Sequence, residues 1–397
     1  MKTKSFFCLA FFILMMAGCH TDNTAEQQVI SVPFEHAEVI DMGQFIENIR
    51  YIQLQNHPES AFTNIDKMLV FGGNMFMLDK RLEAVFCFDT TGKFRYRIQR
   101  VGRGPGEYQE LESFWLKPAE KELWLSSFWP SKIMVYNFDG VMLREFKTRW
   151  SGNDMVRVGD NTIAVYNTSG CNDGYDSLRE GMFLLGEDGG CRGQAKILGD
   201  SSMYWSMAMH RCLEETENGA LLLSQSDTIF KIDSKGAVTP DIFLDWGSLK
   251  FPDDLRRIYF GTPGSEEVFK GNYVTGKDQL VAFGPIRMFE IFIDGHLEFA
   301  LANLKTRRGS FSTQITCKTA SVPLLNPFSK SDRDELIGMY DMSLLIAMKE
   351  SQSNRKEDEK MNKFFRAMDS LVGSALAQDR PVLWIAKIKQ EWLNTTH

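Results

Sequence analysis

The chain has 397 residues, 52 acidic against 45 basic side chains, and a formal net charge of −7. With no block of Lys and Arg, that balance argues against a nucleic-acid partner. Eight Trp and 30 Phe supply ample material for a hydrophobic core.

Lys2 and Lys4 precede an apolar run from Phe6 to Met16. Such a run is too short to span a bilayer core but suits the h-region of a signal peptide. It ends in Met16-Ala17-Gly18-Cys19. Small residues before a Cys at that place resemble a bacterial lipoprotein signal, with Met16 where Leu is usual. The expected organisation is a signal peptide over 1–18, lipidation of Cys19 after cleavage, and a tether over 19–27. Several acyl chains on Cys19 anchor firmly, since one chain alone binds only marginally. The expected location is the cell envelope, membrane-anchored through lipid, on the periplasmic or surface face of the outer membrane.

Five segments downstream share one plan: 75–94, 123–143, 163–190, 221–238 and 280–299. Each reads as a short apolar strand, a polar turn, a second apolar strand, and then an Asp-Gly-type turn into a third. The turn glycines are Gly92, Gly140, Gly189, Gly236 and Gly295, spaced by 48, 49, 47 and 59. Such turns need positive φ, which Gly takes without penalty. Several strands are apolar on both faces, as in sheets packed between neighbours. A repeat near 50 residues made of antiparallel strands predicts propeller blades, since a closed ring protects most sheet edges. A β-sandwich or paired jelly rolls leave the regular turn position unexplained.

Between the first two repeats lies Arg100-Val101-Gly102-Arg103-Gly104-Pro105-Gly106-Glu107-Tyr108. A dinucleotide fingerprint would open a helix, and here Pro105 and a strand follow; a P-loop would carry Gly-Lys-Ser/Thr. The stretch is therefore expected to be an inter-blade crossing with positive φ at Gly104 or Gly106.

Gly102 to Tyr108 resembles the signature of the six-bladed β-propeller lipoproteins of Bacteroidetes, relatives of the NHL-repeat propellers. FIENIRYIQL (45–54) and QDRPVLWIAKIK (378–389) resemble that family's opening and closing strands. The resemblance covers about residues 28–390. It implies a six-bladed ring with secretion or surface anchoring, and no agreed activity.

The fold class expected is all-β: a six-bladed β-propeller over 28–397, with a C-terminal helical insert at about 331–377 before a ring-closing strand at 381–389. Ile49 to Leu54 and Val382 to Ile388 are expected to pair and join the chain ends in one sheet. Residues 311–325 can supply further strands. Leu336, Met339, Tyr340, Leu344 and Ile346 have helical spacing, with Ser331 and Asp332 as N-cap candidates. A second amphipathic helix is expected to run through Phe364, Phe365, Met368, Leu371 and Leu376.

The six histidines and the cysteines show no metal-ligand spacing, so no metal and no cofactor is expected. Cys87 reads as a buried strand residue; Cys171 and Cys191 flank one segment and can pair, or stay apart. Asp89, Asp139, Asp188, Asp233 and Asp294 recur in turns, and Asx-turn bonding accounts for them better than calcium does. Arg100, Arg103, Glu107 and Tyr108 are the candidate ligand-binding residues. Arg103 can grip a carboxylate or sulfate, or else pair with Glu107 or backbone to hold the crossing. Trp115, Trp124, Trp129, Trp205 and Trp246 suit sugar stacking or blade packing.

Two function classes remain. One is a binding or protein-interaction module with a glycan, peptide or envelope protein as ligand. The other is a propeller enzyme, a glycan-active hydrolase or lyase or a lactonase-like catalyst, with its site at the central mouth. Three or more Asp, Glu or His side chains converging on the axis would favour the enzyme.

Overall fold

The structure is a computed structural model. It describes residues 29–148, 152–159, 161–167, 181–197, 211–252, 255, 271–320, 322–324, 327–340, 346 and 381–394.

The fold is an all-β propeller built from four-stranded antiparallel units. The first unit holds Lys67–Phe71, Asn74–Asp79, Ala84–Asp89 and Phe94–Ile98. The second holds Glu110–Lys117, Glu122–Trp129, Lys132–Asn137 and Met142–Lys147. The third holds Asp154–Gly159, Thr162–Asn167, Gly181–Gly186 and Cys191–Lys196. The fourth holds Leu213–Thr216, Gly219–Leu223, Thr228–Asp233 and Val238–Asp245, and the fifth Val274–Phe283, Ile286–Ile293, His296–Asn303 and Arg308–Ser312. The sixth combines Pro327–Lys330, Glu335–Tyr340, Val382–Ile388 and Ile46–Gln53.

The first strand of each unit lies innermost. These inner strands touch in chain order, and Pro327–Lys330 returns to Lys67–Phe71. In the second strand of the first unit, Met75 to Asp79 are all buried. Neighbouring sheets thus cover both faces, which explains the near-continuous apolar runs.

All five turn glycines have positive φ, between +75° and +90°. The repeat has a second cause. A Cβ on Gly140 would come within 2.7 Å of Tyr96 in the preceding unit, and one on Gly92 within 2.3 Å of the Gln53 carbonyl. The turn needs glycine for its own backbone and for the neighbouring unit pressed against it. Three of the five acidic residues behave as Asx turns: Asp89 and Asp233 each accept two backbone N–H groups, from Thr91 and Lys93 and from Lys235 and Ala237, and Asp188 accepts from Gly190. In the second unit Asn137 takes that role, accepting from Asp139 and Val141.

Val382–Ile388 pairs antiparallel with Ile46–Gln53, placing Trp384 opposite Tyr51 and Ala386 opposite Ile49. The two ends of the chain therefore share one sheet. A further strand, Ile30–His36, lies parallel to Val238–Asp245 on one side and Arg308–Ser312 on the other. It wedges between the outer strands of the fourth and fifth units. Val32 is fully buried there, and Phe34 stacks on Trp246 at 4.3 Å. Ile315–Cys317 and Val322–Pro323 form a small separate sheet with Ile40–Asp41.

The expected helix from Ser331 is corrected in part. Glu335–Tyr340 is a strand, paired with Val382–Ile388. Leu336, Ile337, Gly338 and Tyr340 are all buried, and a short run apolar on both faces satisfies helix and strand periodicities alike. Ser331 does cap backbone, but in a hairpin: its Oγ accepts from Arg333 and Glu335 N–H. Apart from residue 346, residues 341–380, which include the second expected helix, lie outside the described residues.

Candidate ligand-binding cavity on the propeller axis

The crossing after Phe94–Ile98 is a compact backbone structure. Tyr108 N donates to Arg100 O at 2.9 Å, and Gly102 N to Tyr108 O at 2.8 Å. Tyr108 is fully buried, and its hydroxyl donates to Glu83 O and accepts from Arg100 N. Glu107 accepts from Gly104 N at 2.8 Å. Gly106, at φ +74°, donates its N–H to Glu145. Arg100 and Arg103 are exposed, and Arg103 has no hydrogen-bond or ion-pair partner among the described residues. Of the four candidate residues, two are thus committed to the loop itself and two face solvent.

A well-formed cavity lies elsewhere. It has a volume of about 390 Å³ and sits on the axis, lined by Leu69, Val70, Phe71, Trp115, Leu116 and Leu213 among others. Leu69 to Phe71, Trp115 and Leu116 come from the latter parts of their inner strands, while the crossing adjoins the start of Glu110–Lys117. At about 3.3 Å per strand residue, Tyr108 and Trp115 are separated by roughly 20 Å along the strand. The crossing and the cavity therefore occupy opposite ends of the ring.

A polar network closes the axis at the floor of the cavity, and Lys67, Arg211 and Glu214 of that network line it. Lys67 Nζ lies 2.5 Å from Asp154 Oδ1 and also donates to Ser113 Oγ and Met155 O. Asp154 Oδ2 accepts the N–H groups of Cys212 and Leu213, tying the third unit to the fourth. Arg211 pairs with Glu214, while its own N–H donates to Asp278. Burial pushes the Lys67 ammonium below the usual lysine range, against the pull of Asp154. Lys67 and Asp154 each open an inner strand as buried polar residues where a periodic reading expects core, and nothing in local sequence marks the two as partners.

Asp154, Glu214 and Asp278 do converge on the axis, yet all three are buried and hold cations or backbone amides. At the rim, Arg157 pairs with Glu215 at 3.1 Å. Lys330 lines the cavity with no ion-pair partner among the described residues. Among the described residues no cluster of His, Cys, Asp and Glu is grouped to hold a metal. Trp115, Trp124 and Trp246 are buried, Trp129 is exposed, and Trp205 lies outside the described residues. Cys87 is a buried free thiol within its strand; Cys191 is free, and Cys171 lies outside the described residues.

A family model, Domain of unknown function (DUF4934), matches residues 27–371. The chain belongs to the DUF4934 family. The matched residues run from the wedged N-terminal strand past the hairpin at Ser331. Among solved structures, a protein of Bacteroides fragilis NCTC 9343 assigned to export superposes with a TM-score of 0.72 at 14% identity. The alignment covers 91% of this chain and all of that one. A DUF4221 member from Bacteroides vulgatus ATCC 8482 aligns with a TM-score of 0.50 at 9% identity, over 87% of this chain and 97% of that one. At these identities the likeness concerns the fold. No curated protein matches the sequence.

Proposed function

We propose that this DUF4934 member is a six-bladed propeller lipoprotein of the bacterial cell envelope, anchored through Cys19, whose axial cavity seats a glycan or peptide ligand. One observation carries the binding reading: the carboxylates at the floor of the cavity, Asp154 and Glu214, are neutralised by Lys67, Arg211 and backbone amides. A carboxylate held in an ion pair with a neighbouring cation is poorly placed for acid–base work on a substrate. Around them stand the apolar walls of Val70, Phe71 and Trp115 and Lys330, which has no ion-pair partner among the described residues, a surface suited to contact.

The anchor gives the cavity a direction. Ile30, where the wedged strand begins, lines a second cavity that shares Glu215 and Lys330 with the axial one. From Cys19 to Ile30 is a short tether, at most about 3.6 Å per residue when extended. A lipid on Cys19 thus holds the cavity end of the ring within about 40 Å of the bilayer, with the Arg103 crossing turned away.

The test is a screen of the soluble body, residues 20–397, on immobilised glycan and peptide libraries, with each hit measured by calorimetry. Leu69→Trp, which fills the axial cavity, should abolish the interaction, and Arg103→Ala should not. The reverse pattern places the ligand at the crossing and overturns the proposal.

A further inference from the structure

Off the axis, between the fourth and fifth units, lies the second cavity, about 300 Å³ in volume. Its distinctive group is Arg287, at the start of Ile286–Ile293. The Arg287 Nη1 donates to the carbonyls of Gly284 and Ile286, at 2.8 and 3.0 Å, which fixes the guanidinium against the hairpin turn. Its Nε is buried with no acceptor, and no carboxylate of the described residues lies within ion-pair distance. Burial pushes Arg287 below the usual arginine range, against the pull of the Asp241 and Glu214 charges.

The surroundings narrow the anion. Lys231 and Lys330 line the same cavity, but so do Glu215, Glu217 and Asp241. Those carboxylates oppose a phosphate dianion or a polyanion. The remaining wall includes Leu221, Ala282, Phe283 and Leu304. We propose that this cavity binds a small monocarboxylate with an apolar body, its carboxylate on the free edge of the Arg287 guanidinium and its body against Phe283 and Leu304. A carboxylate suits this group because guanidinium and carboxylate match in planar, hydrogen-bonded geometry. The site shares Glu215 and Lys330 with the axial cavity, but Arg287, Phe283 and Leu304 belong to it alone.

The probe pair is 3-phenylpropionate and its neutral isostere 3-phenylpropionamide, titrated into the soluble body by calorimetry and by NMR. The acid should bind at least about ten-fold more tightly than the amide, the worth of a charge-assisted hydrogen bond. Asp241→Asn, which removes a competing negative charge and leaves the Arg287 turn contacts intact, should tighten the acid and not the amide. Arg287→Lys should lose most of the preference for the acid at an unchanged melting temperature, and Leu69→Trp should leave it intact. Equal affinity for acid and amide overturns the proposal, as does loss of binding on Leu69→Trp. Failure of a series of aryl and straight-chain monocarboxylates to bind at about 10 mM also overturns it.

Discussion

The hydroxyl of Tyr108 donates to the carbonyl oxygen of Glu83 at 2.9 Å, joining the inter-unit crossing to a tight turn of the first unit. The link is doubled, because the Glu83 carboxylate accepts the N–H of Leu111, just beyond the crossing. Tyr108→Phe keeps the ring and deletes the hydroxyl, leaving the Glu83 carbonyl and the Arg100 amide without it. The expected loss is about 1–3 kcal/mol in urea-induced unfolding. Arg103→Ala, at an exposed side chain, should stay within about 0.5 kcal/mol of the parent. Equal effects of the two changes would contradict this division of roles.

Glu83 gives the protein a pH-dependent term. Burial pushes its carboxyl up to about 7, against the Leu111 hydrogen bond, and Glu110 and Glu112 push the same way. The folded value lies above the unfolded one, so the folded state holds the extra proton between about 4.5 and 7. The associated stabilisation is complete below about 4.5 and is lost as pH rises through about 7. Comparing Glu83→Gln with the parent cancels the other carboxylates. Parent stability should fall relative to the variant as pH rises across that window, and a pH-independent difference would exclude the effect.

The blade rhythm was legible because one physical requirement recurs: a turn with positive φ pressed against the neighbouring unit, met by Gly92 and Gly140 alike. The pairing of the chain ends was legible for a related reason, since an open ring exposes strand edges. The axial network was not. Lys67 and Asp154 are 87 positions apart and meet only because the ring folds their strands onto one axis. The Glu335–Tyr340 strand was misread because the five residues from Leu336 to Tyr340, apolar on both faces, carry no period that separates helix from strand. Ile30–His36 was missed as well. It pairs in parallel with two strands more than two hundred residues away, and no local pattern announces such partners.

The closing strand should carry much of the cooperativity. Trp384 is fully buried, with Gly338 opposite it on one side and Tyr51 on the other. Trp384→Ala should cost about 3–5 kcal/mol, the usual range for emptying a large aromatic site. That is a large share of the roughly 5–15 kcal/mol that holds an ordinary domain folded. Circular dichroism and tryptophan fluorescence should then report one coincident transition at lower urea. Two separated transitions would mean that the ring opens at the seam before it melts.

The Lys67–Asp154 pair offers the sharpest test of the axis. Lys67 is 3% exposed and Asp154 is not exposed at all, so removing either leaves its partner charged and away from water. Breaking such a pair costs about 3–5 kcal/mol. The two sides are not equivalent. Lys67→Met removes one ammonium, whereas Asp154→Leu also strands the backbone N–H groups of Met155, Cys212 and Leu213. Asp154→Leu should therefore be the more damaging, and its harm should extend to the seam between the third and fourth units. In hydrogen exchange the Cys212 and Leu213 amides should lose protection in Asp154→Leu and keep it in Lys67→Met. Combining the changes should cost less than their sum, because the double variant leaves no unpaired charge. Strict additivity would mean that the two side chains do not interact across the axis.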